Sequence, residues 1–161
     1  MIKKLIFDWG NTIMVDFELP GPMYTWEKVS WVDGAENAIK SLSETYELYL
    51  ATNAGASDTS GVIKALNRVG ADKYFKKIFL AREVGYKKPE KQFFLSITKS
   101  LQVDPGECLM IGDNYEKDCI GAKAVGMKTV FFNAQHKKGV FNNADKVIEN
   151  MEDLPLIIDR I

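Results

Sequence analysis

Short apolar runs alternate along the chain with longer stretches in which apolar residues recur every three or four positions. The short runs have the length and composition of buried strands, and the longer stretches have the periodicity of helices with one apolar face. The predicted strands cover residues 3–9, 46–53, 76–81, 107–113, 128–132 and 146–150, the last with the weakest pattern, and the predicted helices cover residues 35–43, 59–69, 91–101 and 115–125.

This regular alternation of strand and helix predicts an α/β fold, namely a three-layer, Rossmann-like open parallel sheet of about five strands with helices on both faces. The length of 161 residues fits a single domain spanning residues 1–161, without a linker or repeat. The one long irregular segment, residues 11–32, follows the first strand, and we expect its tryptophans, Trp26 and Trp31, to anchor it.

Charge and composition narrow the range of partners. The chain carries 21 basic and 22 acidic residues without a run of like charges, so nucleic acid is not an expected partner. No apolar stretch approaches the roughly 20 residues that a spanning helix needs, and no signal peptide is recognisable, so we expect a cytoplasmic protein without a membrane partner. Cys108 and Cys119 lack the spacing of a metal or redox motif and are predicted to be buried, reduced thiols.

Residues suited to phosphate and metal chemistry follow several predicted strands. The carboxyl ends of parallel strands share one edge of a sheet, where ligands of such folds bind, so we expect these residues to converge on one crevice. They are Asp8 at the end of the first strand, Thr52 and Asn53 at the end of the second, Lys88 on the loop after the third, Asp113 at the end of the fourth, and Asp118 one helical turn beyond.

The chemistry of these residues is mutually consistent. Carboxylates such as Asp8 and Asp113 suit Mg²⁺, which completes its coordination with waters and substrate phosphate. Thr52, the backbone N–H of Asn53 and the cation of Lys88 suit phosphate oxygens, and Lys88 could equally orient Asp8. A carboxylate activated in this way can act as a nucleophile toward phosphorus.

Four of these segments resemble, in order and spacing, the motifs of the haloacid dehalogenase superfamily, over about residues 3–133. The matching segments are Asp8-Trp9-Gly10-Asn11-Thr12, Ala51-Thr52-Asn53, Lys88-Pro89, and Gly112-Asp113 with Asp118. The resemblance implies a Mg²⁺-dependent hydrolase of a small phosphorylated substrate.

The resemblance also implies a role for each matching residue. Asp8 would be the nucleophile and form an aspartyl-phosphate, and Lys88 would neutralise the developing charge. Asp8, the backbone carbonyl of Gly10 and Asp113 would hold the metal. The remaining roles are binding of the phosphoryl group by Thr52 and Asn53, support of the metal waters or of Lys88 by Asp118, and stabilisation of the turn by Thr12.

Gly10 departs from the pattern of the family's phosphatases. The phosphatases of the family that this chain resembles usually carry a second Asp at this position. That Asp protonates the leaving group and then activates water. Loss of such a group typically lowers the rate by about 10²- to 10⁴-fold, or roughly 3 to 5 kcal/mol. Asp16 and Glu18, on the loop after Asp8, are the carboxylates that could fold back to replace it.

The sequence leaves several alternatives open. A catalytically weakened protein that binds phosphate or metal in a regulatory or partner-binding role is the second hypothesis, and a different displacement at carbon or phosphorus is the third. The intervals from Asp8 to Thr52 and from Thr52 to Lys88 are filled by predicted helices and strands, so no inserted cap domain is expected. Residues 17–31 could act as a lid, or the neighbouring copy in a homo-oligomer could close the site.

Overall fold

A computed structural model describes all residues from 1 to 161 and shows an open sheet of six parallel strands in the order β3-β2-β1-β4-β5-β6. All strand pairs are parallel, with Phe7 of β1 aligned with Leu50 of β2 on one side and Ile111 of β4 on the other. The strands are β1 Lys4–Phe7, β2 Glu47–Thr52, β3 Phe75–Leu80, β4 Cys108–Gly112, β5 Lys128–Phe132 and β6 Lys146–Ile148.

Six α-helices flank the sheet, and none is long and apolar enough to cross a membrane. They are α1 Ala35–Leu42, α2 Thr59–Arg68, α3 Ala81–Val84, α4 Lys91–Leu101, α5 Gly121–Lys123 and α6 Leu154–Ile157. Short 3-10 turns lie at Met23–Thr25, Asp72–Tyr74, Pro105–Glu107, Met151–Asp153 and Ile158–Arg160.

The core is divided by the sheet into two layers, as the alternation of strand residues requires. On one face, Leu5 and Phe7 of β1 belong to a cluster of 25 buried residues that includes the apolar sides of α1, α2 and α6. On the other, Ile6 belongs to a cluster of 11 that includes Phe93 and Phe94 of α4. The predicted three-layer α/β architecture is therefore confirmed.

The structure differs from the sequence prediction in its number of strands, in the winding of one helix and in two short helices, α3 and α6, that were not predicted. The sheet has six strands and not about five, because the weakly patterned segment forms the three-residue edge strand β6. The predicted helix over residues 115–125 is wound as a π-helix over Tyr115–Ile120 and becomes α-helical only in α5. Single π turns of this kind occur often at functional sites, and this one carries Asp118.

The irregular segment after β1 is well packed although it has little regular structure. Its two ends pair with each other, since the Val15 N–H donates to Ser30 O at 3.0 Å and the Val32 N–H donates to Ile13 O at 2.9 Å. The Trp31 indole N–H donates to Val69 O at the end of α2, at 3.0 Å. Trp26, which is buried, donates to the carbonyls of Pro20 and Gly21, so both tryptophans anchor the segment as predicted.

Both cysteines are free and buried, as the sequence predicted. Burial raises the pKa of the Cys108 thiol to about 11 and raises that of Cys119 further. Neither thiol has the depressed pKa of a reactive cysteine.

Asp145 joins the segment before β6 to the preceding strand and helix. Its carboxylate accepts hydrogen bonds from the Thr129 N–H at 2.9 Å and from Lys123 Nζ at 2.6 Å. Burial acts to raise the pKa of Asp145, but the hydrogen bonds from Lys123 and Thr129 outweigh burial and hold the pKa below its ordinary value. The ionised form therefore contributes to stability.

We predict that Asp145→Asn lowers the free energy of unfolding at pH 7 by about 1 to 3 kcal/mol, because charge-assisted hydrogen bonds are lost. The folded-state pKa is depressed, so this stabilisation is present above the unfolded value of about 3.9 and is lost as pH falls through the folded value. Urea unfolding of both proteins should show their difference narrowing below about pH 4. An equal difference at acidic and neutral pH would contradict this assignment.

Candidate active site

The carboxyl ends of β1, β2 and β4 open into a polar cavity of about 510 Å³. The cavity also borders the loop after β1 and the loop that precedes α4, so five separate segments of the chain contribute to its wall. Every residue that the sequence singled out for catalysis, phosphate binding or metal binding lies on this wall: Asp8, Gly10, Thr52, Asn53, Lys88, Asp113 and Asp118.

Lys88 lies at the centre of the site and is 2% exposed. Its ammonium group donates to Asp8 Oδ1 and to Asp118 Oδ1, both at 2.7 Å. Burial acts to lower the pKa of Lys88, but the charges of Asp118 and Asp8 outweigh burial and raise it above its ordinary range. The lysine is therefore a fixed cation held between two carboxylates.

Asn53 holds the backbone of Lys88 in place. Its side-chain amide donates to Lys88 O and accepts from the Lys88 N–H, both at 2.9 Å. This paired contact uses the side chain of Asn53 and leaves its backbone N–H for a ligand. The neighbouring Thr52 is buried, and its hydroxyl accepts a hydrogen bond from the Ala54 N–H at 3.1 Å. The sequence had not revealed that Asn53 positions the lysine loop.

Asp118 is fully buried at the start of the helical region after β4. One oxygen pairs with Lys88, and the other accepts a hydrogen bond from the Asn114 N–H at 3.0 Å. Burial raises the pKa of Asp118 to about 6, although the charge of Lys88 opposes the increase. Gly112 allows this approach, because a Cβ at that position would lie 2.1 Å from Asp118 Oδ2. Sequence reasoning assigned Gly112 no role, although a glycine next to a site carboxylate is a signal of close approach.

Asp8 and Asp113 directly follow the neighbouring strands β1 and β4, and Thr12 lies next to both. The Thr12 hydroxyl is 3.4 Å from Asp8 Oδ2 and 3.3 Å from Asp113 Oδ1, and it accepts from the Asp113 N–H at 3.2 Å. Burial, with the charges of Asp8 and Asp118, raises the pKa of Asp113 to about 7. Thr12 is thus a link between two site carboxylates as well as part of a turn.

The charge balance of the site favours a cation. Carboxylate oxygens of Asp8, Asp113 and Asp118 lie within 4.8 Å of one another, whereas Lys88 is the one cation that contacts them. Lys88 contacts Asp8 and Asp118, and Asp113 has no cationic partner. Burial, together with the charges of Asp8 and Asp118, therefore raises the pKa of Asp113 without an opposing cation. Hard oxygen donors with excess negative charge fit Mg²⁺.

Of the other residues that line the cavity, some pack against the core and others carry charged groups that could take part in chemistry. Trp9 borders the cavity but is 3% exposed, and its indole N–H is 3.3 Å from Met14 Sδ, so it packs against the core. Asp16 and Glu18 both line the cavity, which shows that the loop does fold back over the site. Lys117, which sequence reasoning did not select, also borders it, and its place one residue before Asp118 is the signal that could have found it.

A known protein family matches the part of the chain that contains most of these site residues. The sequence pattern described as haloacid dehalogenase-like hydrolase matches residues 22–132. The chain belongs to this hydrolase family. The matched span includes Thr52, Asn53, Lys88, Asp113 and Asp118 but begins after Asp8, so the placement of Asp8 rests on the geometry described above.

Curated relatives within the hydrolase family include phosphatases. The chain is 33% identical over 110 residues to the putative HAD-hydrolase YfnB of Bacillus subtilis, covering 68% of this chain and 46% of that protein. It is 29% identical over 121 residues to ribulose-1,5-bisphosphate 5-phosphatase of Halopiger xanaduensis, covering 74% and 49% respectively. It is 34% identical over 97 residues to glyceraldehyde 3-phosphate phosphatase of Pyrococcus furiosus, covering 58% and 40%. The chain thus spans less than half the length of these relatives.

Solved structures of family members share the fold. The magnesium-bound structure of YfnB from Bacillus subtilis aligns with a TM-score of 0.82 and 21% identity, over 98% of this chain and 99% of that chain. A HAD phosphatase from Thermococcus onnurineus aligns with a TM-score of 0.80 and 21% identity, over 98% of both chains. At this level of identity the likeness establishes the fold. Between β1 and β3 the present chain has only the loop with its 3-10 turn, α1, β2, α2 and a second 3-10 turn, so no cap domain is inserted there.

The close approach of Gly112 to Asp118 leads to a stability prediction. Gly112→Ala should lower the free energy of unfolding by about 1 to 3 kcal/mol, because the added methyl group forces Asp118 from its buried ion pair. Gly106→Ala is the matched control, since its Cβ would meet only the Gly126 carbonyl oxygen at 4.0 Å. Urea unfolding of both variants provides the measurement. Equal stability of the two variants would show that Asp118 can move without cost.

Proposed function

We propose that this chain is a Mg²⁺-dependent phosphatase that acts on a small phosphorylated substrate through an aspartyl-phosphate on Asp8. The observation that carries the proposal is the buried cation of Lys88 fixed between Asp8 and Asp118, at the base of a cavity that also contains Thr52 and Asn53. The phosphatase names of the curated relatives support the same reaction class.

The donor set of the site fits a magnesium ion. Asp8, Asp113 and the backbone carbonyl of Gly10 would hold it, following the family resemblance. When bound, the ion supplies positive charge against the oxygens of the phosphoryl group. The magnesium-bound structure of YfnB supports this choice of metal.

The nucleophilic step belongs to Asp8. A carboxylate oxygen attacks phosphorus, an O–P bond to Asp8 forms, and the bond from phosphorus to the leaving oxygen breaks. Lys88 fixes Asp8 Oδ1 at 2.7 Å and remains protonated beside the transferring group, where its charge stabilises the added negative charge. Water then attacks the phosphorus of the aspartyl-phosphate, releases inorganic phosphate and restores Asp8.

The end of β2 and the adjoining loop would bind the substrate. Thr52 and the backbone N–H of Asn53 would bind phosphoryl oxygens, and the cavity volume of about 510 Å³ suits a small organic phosphate. Asp118 acts as a positioning residue, because its own contacts are with Lys88 and the Asn114 N–H. We place this activity in a single catalytic domain, residues 1–161, in the cytoplasm, with residues 17–31 as a lid or a second copy of the chain closing the site.

Gly10 favours one alternative function. A protein that binds Mg²⁺ and phosphate in a regulatory role, without turnover, would retain Lys88 and the aspartates while lacking the carboxylate usual at position 10. Such a protein would bind a phosphoryl mimic such as fluoroaluminate in a Mg²⁺-dependent manner and release no phosphate from any substrate.

The function is tested by phosphate release from p-nitrophenyl phosphate and acetyl phosphate, with and without Mg²⁺. We expect turnover that requires Mg²⁺ and that Asp8→Asn lowers by at least about 10³-fold, because the amide is not a nucleophile. Asp33→Asn, an exposed aspartate outside the cavity, is the charge-matched control and should keep the wild-type rate. Activity that survives in Asp8→Asn would contradict the proposal, and absence of turnover with retained fluoroaluminate binding would favour the regulatory alternative.

A further inference from the structure

The side chain of Asp16 occupies the space above Gly10. A Cβ at position 10 would lie 3.5 Å from Asp16 Cβ and 3.6 Å from Asp16 Oδ2. Gly10, Asp16 and Asp8 all border the same cavity. The carboxylate of Asp16 therefore lies in the region into which a side chain at position 10 would project.

Asp16 is held in this place by hydrogen bonds on both sides. Its backbone N–H donates to Asn11 Oδ1 at 2.9 Å, and its Oδ1 accepts from the Glu18 N–H at 2.9 Å. The residue before it, Val15, is paired with Ser30. One carboxylate oxygen thus fixes the loop, and Asp16 Oδ2, which accepts no hydrogen bond from the protein, is left for a ligand.

The backbone on either side of Asp16 bends to bring the carboxylate back. Asn11 and Glu18 have φ values of 58° and 55°, in the left-handed region that residues other than glycine rarely adopt. Asn tolerates this conformation because its short polar side chain bonds locally, and here the bond is to Asp16. Between them, Ile13 and Met14 are completely buried and anchor the turn in the core. Backbone strain of this kind persists where surrounding contacts over-determine the conformation.

We propose that Asp16 is the general acid and base of this site, in place of the side chain that Gly10 lacks. The inference rests on the proposed phosphatase function. Glu18 lines the cavity as well. Asp16, however, is the carboxylate that a Cβ added at position 10 would contact, and hydrogen bonds hold Asp16 on both sides.

The two proton transfers balance across the reaction. As the bond from phosphorus to the leaving oxygen breaks, the leaving oxygen takes the bonding electron pair and receives the proton of the Asp16 carboxylic acid. In the second half, the Asp16 carboxylate accepts a proton from the water whose oxygen attacks phosphorus. The bond from phosphorus to Asp8 breaks, its electron pair returns to Asp8, and Asp16 is protonated again.

Asp16→Asn tests this role, because the amide oxygen can still accept from the Glu18 N–H and the volume is unchanged, whereas the amide cannot transfer a proton. Two substrates separate catalysis from structure. For glycerol 2-phosphate, whose alcohol is a poor leaving group, we expect kcat/KM to fall by about 10²- to 10⁴-fold. For p-nitrophenyl phosphate, whose leaving group needs little protonation, kcat/KM should fall less than about tenfold, with kcat lowered by slower attack of water.

Two further variants act as controls on the same loop. Glu27→Gln removes an exposed acid outside the cavity and should leave both rates unchanged. Glu18→Gln should leave the ratio of the two kcat/KM values unchanged.

Rescue provides a second measurement. In the Asp16→Asn background, Gly10→Asp should restore kcat/KM for glycerol 2-phosphate by at least about tenfold. The added Cβ itself would meet Asp16 at ordinary contact distance, 3.5 Å from its Cβ. In the wild-type background the same Gly10→Asp change should raise kcat/KM for glycerol 2-phosphate much less, because Asp16 already transfers the proton, and an equal gain in both backgrounds would contradict the role of Asp16.

The outcomes separate this inference from the proposed function. The role of Asp16 is overturned if Asp16→Asn lowers kcat/KM equally for both substrates or for neither. It is also overturned if Glu18→Gln reproduces the selective loss. In either case, Asp8-dependent turnover of p-nitrophenyl phosphate would still uphold the phosphatase. Absence of wild-type turnover with both substrates overturns the phosphatase and the inference with it.

Discussion

The buried ammonium group of Lys88, bonded to Asp8 and Asp118, is the interaction on which the site depends. A buried charge is tolerated only when it is paired and hydrogen-bonded, and removing one partner of a buried pair typically costs about 3 to 5 kcal/mol. The three groups come from β1, the loop before α4 and the helical region after β4, so this contact fixes three segments relative to one another. Asn53 adds the end of β2 by holding the backbone of the same lysine.

The parallel sheet explains why these groups meet. The central strands β2, β1 and β4 end at the same edge of the sheet, and the side chains at their carboxyl ends reach one cavity. The Lys88 contact consumes two of the available carboxylate oxygens and leaves Asp113 without a cationic partner, which is the local condition that a divalent metal satisfies. The loop after β1 then completes the site with Asp16, because Gly10 provides the space in which that carboxylate lies.

The sequence predicted the sheet and the convergence of the site residues because both follow from local signals, namely apolar runs and the polar residues at their ends. It did not predict the π-helical winding at Tyr115–Ile120, since a segment of six residues is too short for its periodicity to separate an α turn from a π turn. The use of the Asn53 side chain on the Lys88 backbone and the place of Asp16 were also beyond it. The first is a contact between residues 35 positions apart. The second depends on the path of the loop, which Asn11, Glu18 and the pairing of Val15 with Ser30 fix and which sequence spacing does not encode.

The most direct test of the account is to trap the covalent intermediate on Asp8. Acetyl phosphate labelled in its phosphoryl group should be mixed with the protein and Mg²⁺ and quenched in acid within one turnover, and the labelled peptide should be mapped by mass spectrometry. The account predicts phosphate bound to Asp8 and to no other residue, and none without Mg²⁺. Turnover without a labelled protein, or label on a different residue, would contradict the central claim that Asp8, oriented by Lys88, is the nucleophile.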